Sequence, residues 1–448
     1  MRSNPRRPRR LAPLTATSRA DGLTTYGHSS GTVIPRRQVV RGGLASLAAV
    51  FAGRTLAGCD RDEVEGEVSD VRLHAEAPVV PFAPRALPSP PALRSLVDAI
   101  EPLGPPDANG VRLPPGFTCR VVARSGERVA PSSHVWHASP DGGSVFPHED
   151  GGWIYVSNSE VPRTGGVGAL RFAPDGTLVD AFPILQGTNV NCAGGKTPWG
   201  AWLSCEEAPR GRVFECDPWG EREAVVRPSL GVFRHEAAAV DPVNAHVYLT
   251  EDEPDGRFYR FVPAQRTPEG HPDLARGRLE VASVARGGAV RWLEVPDPRF
   301  RRGVPTRAQV AESTVFRGGE GIWYHDGVVY FATKGDDRVW AYDVADAKLS
   351  ILYDRADHSG DPIRGVDNLT VTCCGDVLVA EDGGYMRLVA ILPDGRFVPL
   401  VQVLGQARSE ITGPAFDPSG TRLYFSSQRG VARDGLTYEV TGPFHAPA

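Results

Sequence analysis

The sequence predicts an all-β chain: a six-bladed β-propeller with few short helices, preceded by an export signal and a Pro/Ala-rich linker. Three observations carry this. After residue 110 helical periodicity nearly vanishes, and short runs of β-branched and aromatic residues alternate with D-G, P-D-G and D-P turns. These runs resemble one another at irregular spacings of roughly 40 to 80 residues. Each unit has a strand, a polar tip and a second strand of like kind, and six such units are the signature of a propeller. A two-sheet sandwich, the alternative, does not explain repetition at the level of whole phrases.

Taken in order, the units are W-I-Y-V-S-N-S-E with G-A-L-R-F-A-P-D-G, W-G-A-W-L-S-C-E-E with G-R-V-F-E-C-D, and H-V-Y-L-T-E-D-E with G-R-F-Y-R-F. V-V-Y-F-A-T-K-G-D-D with R-V-W-A-Y-D, D-V-L-V-A-E-D-G-G with M-R-L-V-A-I-L-P-D-G, and R-L-Y-F-S-S-Q-R-G complete the set. With 448 residues, 50 Gly, 40 Pro and 41% hydrophobic residues, the chain is long enough for a sizeable core and rich in turns. Its net charge of −5, with no long basic run after residue 41, argues against a nucleic-acid partner.

Residues 1–59 read as a leader. Arg36-Arg37 followed by a weakly apolar run is a twin-arginine export signal, too short and glycine-rich to span a bilayer and interrupted by Arg54. Leu56-Ala57-Gly58-Cys59 resembles a lipobox, with Cys59 as lipid anchor; simple cleavage nearby is the alternative. The expected location is therefore extracytoplasmic, with membrane contact only through that anchor and the chain otherwise a monomer. Residues 60–110 form the linker, with one short helix expected near 91–101, and 111–448 the propeller. No CxxC pair occurs, so zinc-ribbon and thioredoxin-like sites are unsupported, while Cys205 and Cys216 are a candidate disulfide between neighbouring strands.

The tips of the first strands carry Glu160, Glu206-Glu207, Glu251-Asp252-Glu253, Asp336-Asp337, Glu381-Asp382 and Gln428. Repeats set equivalent positions at equivalent radius, so these acids should converge. Segments entering the strands add His235-Glu236, Glu320, Asp367-Asn368 and Glu410. Acids at turns are commonly just solvated caps, but crowded carboxylates in one register repel unless cations neutralise them, and hard cations prefer such oxygen-rich sites.

At this point the residues resemble a known family. N-C-A-G-G-x-T-P-W-G-x-W-L-x-C-E-E (191–207), H-E-A-A-A-V-D-P from His235 and E-x-T-G-P-A-F-x-P-x-G from Glu410 are similar to the PhoX family of secreted alkaline phosphatases, also known as a family of unknown-function domains. The resemblance spans roughly residues 110–435. It implies a six-bladed propeller whose axial site holds calcium together with iron (Ca²⁺ and Fe³⁺) and hydrolyses small phosphoesters. It further implies Cys192 as an iron ligand, and Glu160, Glu206 or Glu207, Glu251, Glu320, and Glu381 or Asp382 as metal carboxylates. Thiolate suits iron and carboxylate suits both metals.

Two departures set this chain apart. The family's N-H-E segment reads Asn158-Ser159-Glu160, without histidine, and Gly318 stands where a phosphate-facing arginine is expected. Glycine cannot offer arginine's fork to a phosphate. Arg317, Lys334 and His235 are therefore the expected secondary catalytic contacts. The rival readings are a calcium-dependent lactonase or esterase, for which Asp367-Asn368 with Glu320 would supply the site, and a non-catalytic, anchored binding propeller holding metals for structure. No Ser-His-Asp pattern or phosphate loop is present.

Overall fold

The computed structural model describes residues 85, 87–89, 91–360 and 363–448. Arg36-Arg37, the 56–59 segment and most of the first half of the linker lie outside the described residues.

Six antiparallel sheets stand in chain order around an axis. Blade 1 consists of Pro140–Pro147, Trp153–Ser159, Gly165–Phe172 and Leu178–Thr188, and blade 2 of Asn191–Lys196, Trp202–Glu206, Val213–Cys216 and Val225–Val226. Blade 3 has five strands, His235–Asp241, His246–Glu251, Phe258–Pro263, Gly277–Val284 and Val290–Glu294. Blade 4 is Gly319–His325, Val328–Thr333, Arg338–Asp343 and Lys348–Asp354. Blade 5 is Val366–Val371, Val377–Glu381, Arg387–Ile391 and Phe397–Val403, with Val111–Arg112 added at its outer edge. Blade 6 is Ile411–Phe416, Arg422–Ser427 and Leu436–Thr441, completed by Thr118–Arg124 from the other end of the chain. The first strand of every blade lies innermost, and each packs beside the next to close a ring.

The turn residues act by a visible device. Asp241 accepts the N–H groups of Val243 and Asn244, and Asp417 those of Thr421 and Arg422, so each D-P turn is folded back by its own carboxylate. Between turns, successive residues face opposite neighbours. Leu249 packs with Leu203, Val213 and Tyr259 towards blade 2, while Tyr248 packs with Phe258, Phe331 and Tyr342 towards blade 4. Because both faces are covered, the strands read as nearly continuous apolar runs rather than alternating ones.

The two strands of blade 2 that carry Cys205 and Cys216 are indeed neighbours, but the bridge does not form. Cys205 is opposite Val213, three residues before Cys216, so the thiols point to opposite faces and enter different apolar clusters. The helix expected near 91–101 is also absent. Leu93–Ser95 is a strand paired with His445–Pro447, and only Val97–Ala99 makes a single 3₁₀ turn. A partner strand satisfies this backbone better than a helix too short to nucleate.

The glycine pair of N-C-A-G-G has a packing reason. A Cβ on Gly194 would lie 2.0 Å from the carbonyl oxygen of Leu203, and one on Gly195 would lie 1.9 Å from that of Ala238 in blade 3. Gly195→Ala is therefore expected to cost about 3 kcal/mol or more, since a rigid backbone, not a side chain, must yield. A denaturant midpoint unchanged from wild type would refute this account.

Candidate metal centre

All six inner strands carry the same irregularity. Pairing with the second strand slips by one residue, the inner strand carrying one extra, after Pro140, Asn191, His235, Gly319 and Val366, and one residue later, after Thr412, in blade 6. A bulge re-aims a side chain. The residue thrown out of register is Asp141, Cys192, Glu236, Glu320 and Asp367 in successive blades, whereas Thr412, at the equivalent place in blade 6, stays paired with Ser426. The next residue inwards is Gly142, Ala193, Ala237, Gly321, Asn368 or Gly413, and these mostly small groups line the narrow axial cavity beneath.

The second strands end in register with those bulges. Ser159, Glu206, Glu251, Thr333, Glu381 and Ser427 each pair with the first residue of the inner strand. The residue immediately after them forms a second tier: Glu160, Glu207, Asp252, Lys334, Asp382 and Gln428. Glu410 joins them from the entry to blade 6, as Asp382 forms a bridge with it.

Their side chains converge. Ligand atoms of Glu160, Cys192 and Glu207 lie within 4.8 Å of one another, as do those of Asp141, Glu160 and Glu410. The same holds for Glu236, Glu320 and Asp367, and for Asp367, Asp382 and Glu410. Cys192 Sγ donates to Glu236 Oε1 at 3.2 Å, which ties the thiol to the neighbouring blade. Gln428 Nε2 donates to Asp141 and, at 2.7 Å, to Glu160.

Among the described residues, three protein cations offset part of the charge. Lys334 Nζ sits 3.1 Å from Glu320, 2.9 Å from Asp367 and 3.3 Å from Asp382. Arg234 reaches Glu207 at 2.9 Å, and Arg429 reaches Glu410 at 3.2 Å. Nine carboxylates (Asp141, Glu160, Glu207, Glu236, Asp252, Glu320, Asp367, Asp382 and Glu410) therefore face three cations, and most of them are buried.

Titration reflects this imbalance. Burial first, and then neighbouring carboxylates, push Asp141, Glu207, Glu236, Glu320 and Glu410 well above the usual carboxyl range. Burial, with Asp141 and Glu236, likewise raises the Cys192 thiol. Burial works against the charge on Lys334, but Asp367, Glu320, Glu410 and Asp382 outweigh it and hold its pKa well above the ordinary value. Glu320 Oε1 is buried, with the Lys334 ammonium 3.1 Å away as its one ion-pair partner among the described residues. Such a donor set, oxygen-rich with one sulfur and short of positive charge, fits metal cations.

Of the residues expected from sequence, Cys192, Glu160, Glu207, Glu320, Asp382 and Lys334 meet in this funnel. Glu206, Glu251 and Glu381 do not. Each turns back over its own hairpin and accepts the backbone N–H of the arginine six residues on, Arg212, Arg257 and Arg387 respectively. Glu381 also takes the Arg387 guanidinium at 2.6 Å, and Glu251 the Tyr259 hydroxyl at 2.8 Å. His235 pairs with Glu251, stacks its ring 3.6 Å from that of Phe233 and places Nε2 3.1 Å from Gly231 O. Burial holds it neutral, with a pKa of about 3, away from the funnel. Arg317 is exposed, and its carbonyl accepts the N–H of Gly335. Gly318 has a left-handed backbone (φ 63°), and a Cβ there would sit 3.1 Å from Asp252 Oδ1, at the funnel wall.

In the sequence Glu236 and Glu410 stand out only as part of an acidic neighbourhood, Asp367 also as a calcium ligand in the lactonase alternative, and Asp141 does not stand out at all. In P-D-G-G the aspartate looks like a turn residue, and only the shared bulge reveals it as the counterpart of Cys192. The signal separating Glu206 from Glu207 was present in E-x-x-x-x-x-R, repeated in three blades.

Residues 165–212 and 208–350 match the family described as alkaline phosphatase PhoX. In structure the chain is similar to Pseudomonas fluorescens PhoX in complex with vanadate, a transition-state analogue (TM-score 0.62, 17% identity, covering 79% of this chain and 98% of that one). It is more distantly similar to a Bacteroides thetaiotaomicron protein of unknown function (TM-score 0.47, 9% identity, 75% and 84%) and a Xanthomonas campestris gluconolactonase (TM-score 0.40, 16% identity, 82% and 99%). No curated protein matches the sequence.

Proposed function

We propose that this chain, which fits the PhoX alkaline phosphatase family as a divergent member, hydrolyses phosphoesters with metal ions held in its axial funnel. The single observation that carries the reading is the convergence of four overlapping carboxylate groups, one of them including Cys192, on one end of the axis. We assign calcium to the all-oxygen groups around Glu236, Glu320, Asp367 and Glu410, and iron to the group of Glu160, Cys192 and Glu207. Such ions supply charge neutralisation for a phosphoryl group and lower the pKa of bound water.

The chain's own residues bind and orient. Lys334 presents its ammonium at the mouth, where it is 35% exposed, and offers a point charge to a phosphoryl oxygen. Arg234 and Arg429 stand on either side with charge-assisted donors. With glycine at position 318, these three take the place of the family's arginine. Cys192 must give up its proton to ligate, and its thiol is held in place by donating to Glu236 Oε1, 3.2 Å away. Export by the twin-arginine route, which carries folded proteins, and anchoring at Cys59 belong to the same reading.

The test uses the exported protein loaded with calcium and iron, assayed on aryl phosphate mono- and diesters. Turnover that disappears on chelation, with iron lost from Cys192→Ser, is expected. A fully loaded protein inert towards both ester classes would overturn the proposal, and retention of iron by Cys192→Ser would overturn the assignment of that ligand.

A further inference from the structure

At the end of blade 5 opposite the funnel, the hairpin joining Val366–Val371 to Val377–Glu381 carries two adjacent cysteines, Cys373 and Cys374. Their sulfurs are 3.4 Å apart. His445, from the last strand of the chain, contributes the third member of a cluster whose ligand atoms all lie within 4.8 Å of one another. This cluster has no part in the chemistry proposed above.

Its histidine is prepared in an uncommon way. His445 is 4% exposed, and its Nδ1 lies 2.8 Å from the carbonyl oxygen of Gly420, to which only a protonated nitrogen can bond. That fixes the tautomer and leaves the lone pair on Nε2, a buried atom with no hydrogen-bond partner. A buried, unpaired ring nitrogen is costly, and a second-side N–H donated to a carbonyl is how metal-ligating histidines are oriented. The surroundings are equally set. Asp376 Oδ2 accepts from Thr372 Oγ1 at 3.1 Å and from Ser95 Oγ at 2.6 Å, and Thr372 Oγ1 accepts the N–H of Cys374 at 3.2 Å. The hairpin is thereby pinned to Leu93–Ser95, which is itself paired with the strand of His445.

We propose that Cys373, Cys374 and His445 bind one thiophilic transition-metal ion of the zinc class. Two thiolates at about 2.3 Å from a tetrahedral ion are separated by roughly 3.8 Å, close to the spacing found here, and an imidazole nitrogen completes a three-ligand set with water in the fourth position. The two thiols release one proton each to solvent as the sulfur–metal bonds form, and the imidazole gives its lone pair without losing one. The ion would clasp two segments remote in sequence, near residues 373 and 445, on the face away from the funnel, both of them already joined to Leu93–Ser95.

The test is a Co²⁺ titration of the full reduced chain, with Zn²⁺ as competitor, comparing wild type with Cys373→Ser and His445→Gln. Wild type is expected to take up one more equivalent than either variant, with sulfur-to-cobalt charge-transfer absorption that Zn²⁺ abolishes, and to melt several degrees higher when loaded. Cys373 is exposed, so Cys373→Ser should fold as wild type does even if His445→Gln fails to. Equal uptake and equal absorption in wild type and Cys373→Ser would overturn the proposal. So would recovery of the exported protein with Cys373 and Cys374 joined as a disulfide and no metal. Sulfur absorption that persists in Cys373→Ser reports Cys192 and does not count as support.

Discussion

Glu207→Gln is expected to lower phosphoester turnover by at least about 100-fold, roughly 2.7 kcal/mol of transition-state stabilisation, with loss of bound metal. Glu206→Gln, one residue earlier, is expected to leave turnover per folded molecule within about twofold. The neighbours differ because they face opposite ways along a strand end. The Glu207 carboxylate lies within 4.8 Å of the Cys192 sulfur and Glu160, in the funnel. That of Glu206 accepts the N–H groups of Asn189 and Arg212 at 3.0 and 3.1 Å and never reaches the axis. Its loss should appear as stability, about 2 kcal/mol, chiefly from leaving those N–H groups with a poorer acceptor. The Arg212 side chain is 47% exposed, so the ion pair itself adds little. Metal analysis, kcat and a denaturant midpoint on the same preparations separate the two outcomes, and equal behaviour of the two variants would sink the assignment.

Chelation is expected to destabilise the protein by an amount that grows as pH rises from about 5 to 8. Asp141, Glu236, Glu320 and Glu410 have carboxyls raised by burial and by one another. Without cations the folded state keeps protons that the unfolded chain releases above its ordinary carboxyl pKa. A raised acid therefore favours folding only at low pH, and stability falls as pH climbs through the window between unfolded and folded values. For each such acid, every pH unit by which that window is crossed removes about 1.4 kcal/mol. Bound cations let these groups ionise in place, so the loaded protein escapes the loss. Glu251 is the internal control: outside the funnel, raised by burial to about 7, it lowers stability between about 4.5 and 7 in loaded and stripped protein alike. Melting temperatures of stripped and calcium-loaded protein across this range decide the matter, and parallel curves would refute it.

The blades were legible in the sequence because repetition is a statement about phrases, and W-I-Y-V, W-L-S-C and H-V-Y-L survive divergence as packing units. The acidic tips were legible as a set but not individually. Whether Glu206 or Glu207 faces the axis depends on one residue of register, and register is set by the bulge after Asn191, a backbone feature with no residue type of its own. Asp141 was hidden for the same reason: a D-G pair written as a turn sits inside a strand. The early helix failed differently, since the partner that makes Leu93–Ser95 a strand lies more than three hundred positions away in sequence.

Blade 6 takes its outer strand, Thr118–Arg124, from the start of the propeller and its other three from the end. That topology makes closure of the ring depend on both ends of the propeller. Five blades are built without any strand after residue 403, but the sixth stays incomplete until Leu436–Thr441 pairs with Thr118–Arg124. Asp141 and Glu410 meet across this closure, from blade 1 and the entry to blade 6. The funnel is thus complete only once blade 6 is closed, and any truncation before residue 441 should yield a chain that retains most of its blades yet captures its ions poorly.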